Sequence, residues 1–113
     1  TFFLYLAHFA VHTPIQAKAD KIAAYERAGH PNPPYAAMIE SVDESVGRVM
    51  QTLDDLGLSD NTLVIFSSDH GGVANITDLS PLRGGKGSLY EGGIRVSTCM
   101  RWPGVMEPFV VAA

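Results

Sequence analysis

The chain is 113 residues long, 46% hydrophobic, and carries 12 acidic against 8 basic residues, a formal charge of −4. That length allows one domain at most, with enough apolar residues for a core, and the acidic balance without a Lys/Arg-rich run excludes a generic nucleic-acid binder. No apolar stretch approaches the ~20 residues of a membrane span, no signal-peptide pattern is visible, and a single cysteine excludes an internal disulfide or a multi-cysteine zinc site.

In chain order, Phe2 to Ala7 is a continuous apolar run, expected as a strand buried on both faces of a parallel sheet. It empties into His12-Thr13-Pro14, where Pro14 ends regular structure. Residues 15 to 34 form a more polar connection, with a short helix expected over Ala17 to Arg27, closed by Gly29 and by prolines 31, 33 and 34.

From Tyr35 to Leu56 apolar residues recur at three- and four-residue steps, which predicts an amphipathic helix with Val42, Val46, Val49 and Leu53 buried. Glu44 and Arg48 form a favourable i,i+4 pair, and Gly57 supplies a stop. Gly47 costs about 1 kcal/mol in mid-helix, which predicts close packing against the sheet.

Leu63 to Ser68 reads as a second strand, so strand, helix and strand predict a right-handed βαβ unit with the two strands parallel. A loop from Val73 to Gly93 follows, then a third strand over Ile94 to Met100, ended by Trp102-Pro103-Gly104. Cys99, in that apolar run, is expected as a buried structural thiol. The chain opens on what reads as the inside of a strand and stops after Val110-Val111-Ala112-Ala113, so both ends look cut.

Three places gather polar groups at strand ends. Asp69 and His70 stand side by side before Gly71-Gly72, and a carboxylate with an imidazole at the carboxyl end of a strand suits a metal or ligand site. The same four residues are also ordinary turn chemistry. His12 follows the opening strand, where a loop or capping role is the alternative. Lys86 lies in Arg83-Gly84-Gly85-Lys86-Gly87-Ser88, which lacks the spacing and the strand-to-helix context of a phosphate-binding P-loop. If the sheet is parallel, these groups share one edge, where a metal and a lysine would neutralise a tetrahedral oxyanion and a histidine would move a proton. His8 and His30 read as surface or packing residues.

The order of these pieces resembles the type I sulfatases of the alkaline phosphatase superfamily. Phe2 to Ala7 with His12-Thr13-Pro14 is similar to their strand and P-H-x-P turn. Tyr35 to Arg48 resembles the Y-x-A-x-I-x-x-x-D-x-x-V-G-R helix, and Asn61 to Gly71 the N-T-x-V-I-F-x-S-D-[NH]-G strand. Lys86 to Val96 resembles K-G-x-x-Y-E-G-G-x-R-V, followed by Arg101-Trp102-Pro103-Gly104. Val11 and Ser97 depart from the pattern, each standing where the family commonly has a proline.

The resemblance implies an alkaline-phosphatase-like α/β sandwich with a mostly parallel sheet, and calcium-dependent hydrolysis of sulfate esters. It implies Asp69 and His70 as ligands of calcium, with magnesium an alternative, and His12 and Lys86 as catalytic residues that also bind the sulfate. The nucleophile would be a formylglycine made from a C/S-x-P-x-R motif, which these residues do not contain; Thr98-Cys99-Met100-Arg101 does not match. The chain is thus expected to be an internal part of a single catalytic domain, incomplete at both ends and inactive alone. Its partner would be a small-molecule or glycan sulfate ester. Hydrolysis of phosphate or phosphonate esters, or a non-catalytic binding role, stays open. So does the compartment, with a periplasmic or secreted setting compatible with the resemblance.

Overall fold

Asn32, Pro33 and Pro34 begin the longest element of the protein. In the computed structural model, which describes residues 1–110, Pro33–Asp55 is an α-helix (α2), preceded by a shorter helix, Ala19–Arg27 (α1). The two prolines stand at the first helical positions, where their missing N–H groups have no intrahelical acceptor to lose. Asn32 caps the helix, its Oδ1 accepting from the Tyr35 N–H at 3.4 Å. Both helices stop the same way. Gly57 has φ +64°, its N–H donates to the Asp54 carbonyl, and the Leu58 N–H reaches back to the Leu53 carbonyl at 2.8 Å. Gly29, with φ +72°, repeats this after α1. Left-handed backbone at such a position favours glycine, because a Cβ would meet the neighbouring carbonyl.

Two compact units arise, Thr1–Met50 and Gln51–Ala113, so α2 begins in one and ends in the other. In the first, Lys21 of α1 donates to Glu40 and Glu44 of α2, each at 2.5 Å. Those two carboxylates raise the Lys21 ammonium above its ordinary 10.5. The same bond holds the Glu44 carboxyl below its ordinary 4.5, with Arg48 a lesser contributor, so the principal partner of Glu44 is on the other helix. The buried apolar residues of α2 are Ala36, Ala37, Met38 and Leu53, whereas Val42, Val46 and Val49 are half-buried. Among the described residues the first unit contains no strand, so it has no sheet of its own to cover that part of the stripe. Gly47 likewise faces open space instead of a sheet.

The second unit holds a two-stranded antiparallel ribbon, Val64–Ser67 (β1) with Thr98–Arg101 (β2), in which Val64 faces Arg101 and Ser67 faces Thr98. Three expectations are thereby corrected. Residues 2–7 form no strand, because they have no ladder partner, and Phe3 is 92% exposed. No parallel pair occurs among the described residues. The third strand starts four residues late, because Glu91–Ile94 is a helical turn (α3) whose backbone bonds go to the preceding loop. A two-stranded ribbon cannot cover its own faces, so Ile65, Phe66 and Met100 are exposed, and so is Cys99, which the sequence placed in a core. Val111 to Ala113 lie outside the described residues.

What does pack closely in this unit is backbone on backbone. The Gly71 N–H donates to the Gly93 carbonyl at 2.9 Å, the Lys86 N–H to the Gly72 carbonyl at 2.8 Å, and the Gly92 N–H to the Arg83 carbonyl at 2.8 Å. A Cβ on Gly92 would lie 2.8 Å from the Arg83 carbonyl oxygen and closer still to that of Gly84. Only glycine fits such a crossing.

Thermal melts of three glycine variants test this account. Gly92→Ala is expected to cost about 1–3 kcal/mol, since backbone must move to admit the methyl. Gly57→Ala should cost about 1 kcal/mol through its left-handed backbone, and Gly47→Ala should gain about 1 kcal/mol. A loss at Gly47 as large as that at Gly92 would refute the open helix face.

The Lys21 bridge sets a pH window. Glu44 is depressed when folded, so its contribution is present above 4.5 and is lost as pH falls through the lowered value. Lys21 is raised, so its contribution is present below 10.5 and is lost as pH climbs through the raised value. The melting difference between parent and Lys21→Met should therefore be widest and flat across neutral pH and should shrink in acid. A difference that does not change with acidification would remove the bridge from the account.

Candidate functional site

Asp69 and His70 leave the carboxyl end of β1, one and two residues beyond Ser68. The Asp69 side chain is 84% exposed, and its Oδ2 lies 3.3 Å from His70 Nε2. His70 Nδ1 is 2.8 Å from the Gly71 carbonyl oxygen. A carbonyl only accepts, so Nδ1 carries the hydrogen, and a neutral ring then presents its Nε2 lone pair to the carboxylate. Two electron-rich atoms at that separation repel unless a cation lies between them. A proton makes the pair ionic; a metal ion makes both atoms ligands. The donor set thus fits a divalent cation in kind, with the Gly71 carbonyl behind the ring fixing the imidazole tautomer. It is a partial set: among the described residues no group of three or more His, Cys, Asp or Glu could hold a metal. An imidazole is an unusual ligand for calcium, which prefers oxygen.

The 73–93 loop returns to this edge. At its start the Ser80 N–H donates to Asp78 at 2.8 Å and holds that carboxyl below its usual range. Lys86 follows, its N–H bonded to the Gly72 carbonyl, two residues beyond His70, and its side chain exposed. Ser88 closes the turn: its N–H donates to the Gly85 carbonyl at 2.9 Å, and its Oγ accepts from the Gly85 N–H at 3.2 Å. The second unit by itself therefore brings Asp69, His70 and the root of Lys86 to one place. An acid, an imidazole and a primary amine at one exposed edge can bind a cation and an anion together.

His12 belongs to the first unit. Its N–H donates to the Phe9 carbonyl at 3.0 Å, its Nδ1 is 2.9 Å from the Thr13 carbonyl oxygen, and its ring lies 5.5 Å from that of Phe9. The tautomer logic is the same, and it leaves Nε2 free to accept a proton. The other two histidines have local roles, as the sequence suggested. His8 Nε2 is 2.9 Å from Ser45 Oγ, and His30 Nδ1 accepts from the Asn32 N–H at 3.1 Å beside the Tyr25 ring. The sequence did not reveal that the Arg83 guanidinium sits 3.8 Å over the Tyr90 ring. Seven residues apart in an aperiodic loop, the two carry no pattern that would pair them.

A family model described as Sulfatase matches residues 1–112. A protein named Sulfatase from Formosa agariphila is 41% identical over 120 residues, covering 95% of this chain and 22% of that protein. The steryl-sulfatase of Rattus norvegicus is 41% identical over 118 residues, covering 95% of this chain and 19% of its own length. The crystal structure of Ps i-CgsB superposes with a TM-score of 0.83 at 42% identity, over 91% of this chain and 23% of that one. A second structure of Ps i-CgsB, in complex with k-i-k-neocarrahexaose, gives 0.77 at 39% identity over 84% and 22%. The chain spans about a fifth of the curated relatives it matches. With the family model running almost end to end and a named relative at 41% identity, the chain belongs to the sulfatase family.

Proposed function

We propose that the protein hydrolyses sulfate esters and that this chain supplies part of its metal and sulfate site. The observation that carries the reading is the Lys86-to-Gly72 backbone bond, which roots a cation beside the Asp69–His70 pair. A sulfate ester presents a tetrahedral anion, and breaking its S–O bond moves negative charge onto the departing oxygen. Lys86 binds the sulfate oxygens and neutralises charge as it develops. His12, with Nδ1–H directed to Thr13, keeps Nε2 available to take or return the proton at the ester oxygen.

Asp69 and His70 would hold calcium, with magnesium the alternative, and the ion would add positive charge at the sulfate oxygens. The nucleophile is a formylglycine provided by residues beyond these 113. In the same reading the chain is an internal part of one alkaline-phosphatase-like domain with a mostly parallel sheet. The substrate is a small-molecule or glycan sulfate ester. A glycan is the favoured class, because the Ps i-CgsB relative was solved with an oligosaccharide bound.

Calcium titration beside aryl-sulfate hydrolysis, in the full-length protein, tests the four roles. Asp69→Ala should weaken calcium binding and turnover together, whereas His70→Asn should retain substantial activity, since an amide oxygen replaces the imidazole. Lys86→Ala should spare calcium binding but cut turnover by orders of magnitude. His12→Ala should also spare the metal and lose about a hundredfold or more. Parent-rate hydrolysis by both Lys86→Ala and His12→Ala would overturn the site, and faster hydrolysis of aryl phosphate than of aryl sulfate would overturn the substrate class.

A further inference from the structure

We propose that Arg83 and Tyr90 form a clasp that holds the Lys86 loop in its working position, making both positioning residues for sulfate binding. The inference rests on the role given to Lys86 above.

The loop from Arg83 to Gly93 is closed at its base by main-chain bonds. The Gly92 N–H meets the Arg83 carbonyl, the Gly93 N–H meets the Tyr90 carbonyl at 2.8 Å, and the Gly71 N–H meets the Gly93 carbonyl. Its tip, residues 85–88, is one tight turn in which Gly87 has φ +89°. Glycines at 84, 85 and 87 leave the segment with few side chains that could stiffen it by packing. One side-chain contact spans the two limbs. The Arg83 guanidinium carbon lies 3.8 Å from the centroid of the Tyr90 ring, within the range of a cation–π pair. Arg83 and Tyr90 flank the turn that bears Lys86, three residues before it and four after.

A long, flexible lysine transmits loop disorder directly to its ammonium. Binding a sulfate oxygen therefore requires that the loop be ordered beforehand or be ordered at the expense of affinity. The clasp supplies that order without touching the sulfate. Its loss should thus appear only where Lys86 matters.

The test uses the full-length enzyme, aryl-sulfate kinetics and inorganic sulfate as a competitive inhibitor. Tyr90→Leu and Arg83→Met should each weaken sulfate inhibition and kcat/KM about two- to fivefold, the scale of an exposed cation–π pair, with the melting midpoint little changed. Tyr90→Phe keeps the ring face and should restore most of the loss. In a Lys86→Ala background, Tyr90→Leu should produce no further loss, because nothing is left to position. An equal loss in both backgrounds marks a merely structural pair and overturns the clasp, as does parent-like behaviour of both single variants. Lys86→Ala at the parent rate overturns the site itself, and that outcome is distinct because it is independent of Arg83 and Tyr90.

Discussion

The second unit depends on backbone meeting backbone at Gly71, Gly92 and Gly93, where a Cβ would run into main-chain atoms. The Gly71 and Lys86 N–H groups find acceptors on a segment about twenty residues distant or nearer, and those bonds decide where the loop returns. A peptide group that donates there is satisfied by main chain, which holds the base of the loop in place despite its glycine content. Everything chemical about the unit follows from that crossing. It sets the Lys86 backbone beside the segment that follows β1.

The chemical character of the edge comes from protons more than from formal charge. At His70 and His12 the acceptor of Nδ1–H is a carbonyl one residue along the chain, so the local backbone selects the tautomer. Nε2 is then the ring atom that carries the lone pair in both rings. In His70 it faces a carboxylate and calls for a cation between the two. In His12 no carboxylate is paired with it among the described residues, which is the arrangement the proposed proton transfer would use. Two identical side chains thereby acquire different chemistry from their surroundings alone.

The first unit is held by a different device. Lys21 reaches two carboxylates one helical turn apart, Glu40 and Glu44, and so ties α1 to α2 at a defined rotation. The i,i+4 spacing that makes those carboxylates neighbours is a property of the helix, whereas the lysine that joins them comes from another element. The half-buried Val42, Val46 and Val49, and the exposed residues 2–7, share one cause: their pattern asks for a sheet, and the unit contains none among its described residues.

Local rules alone specified a good deal of this protein. The 3.6-residue spacing from Tyr35 onward and Gly57 beyond the end bounded α2 to within two residues, because periodicity and helix stops act over one or two turns. The apolar run before Ser67 likewise marked β1 to within a residue at each end, and the motif order identified the family. Strand pairing was not legible. Whether an apolar run becomes a strand, and which way it runs, depends on a partner supplied from elsewhere in the chain; hence residues 2–7 stayed unpaired, β1 met β2 antiparallel, and Cys99 came to the surface. The Arg83–Tyr90 and Lys21–Glu40 contacts were equally hidden, since each joins segments whose approach is set by the folded backbone and by no sequence period.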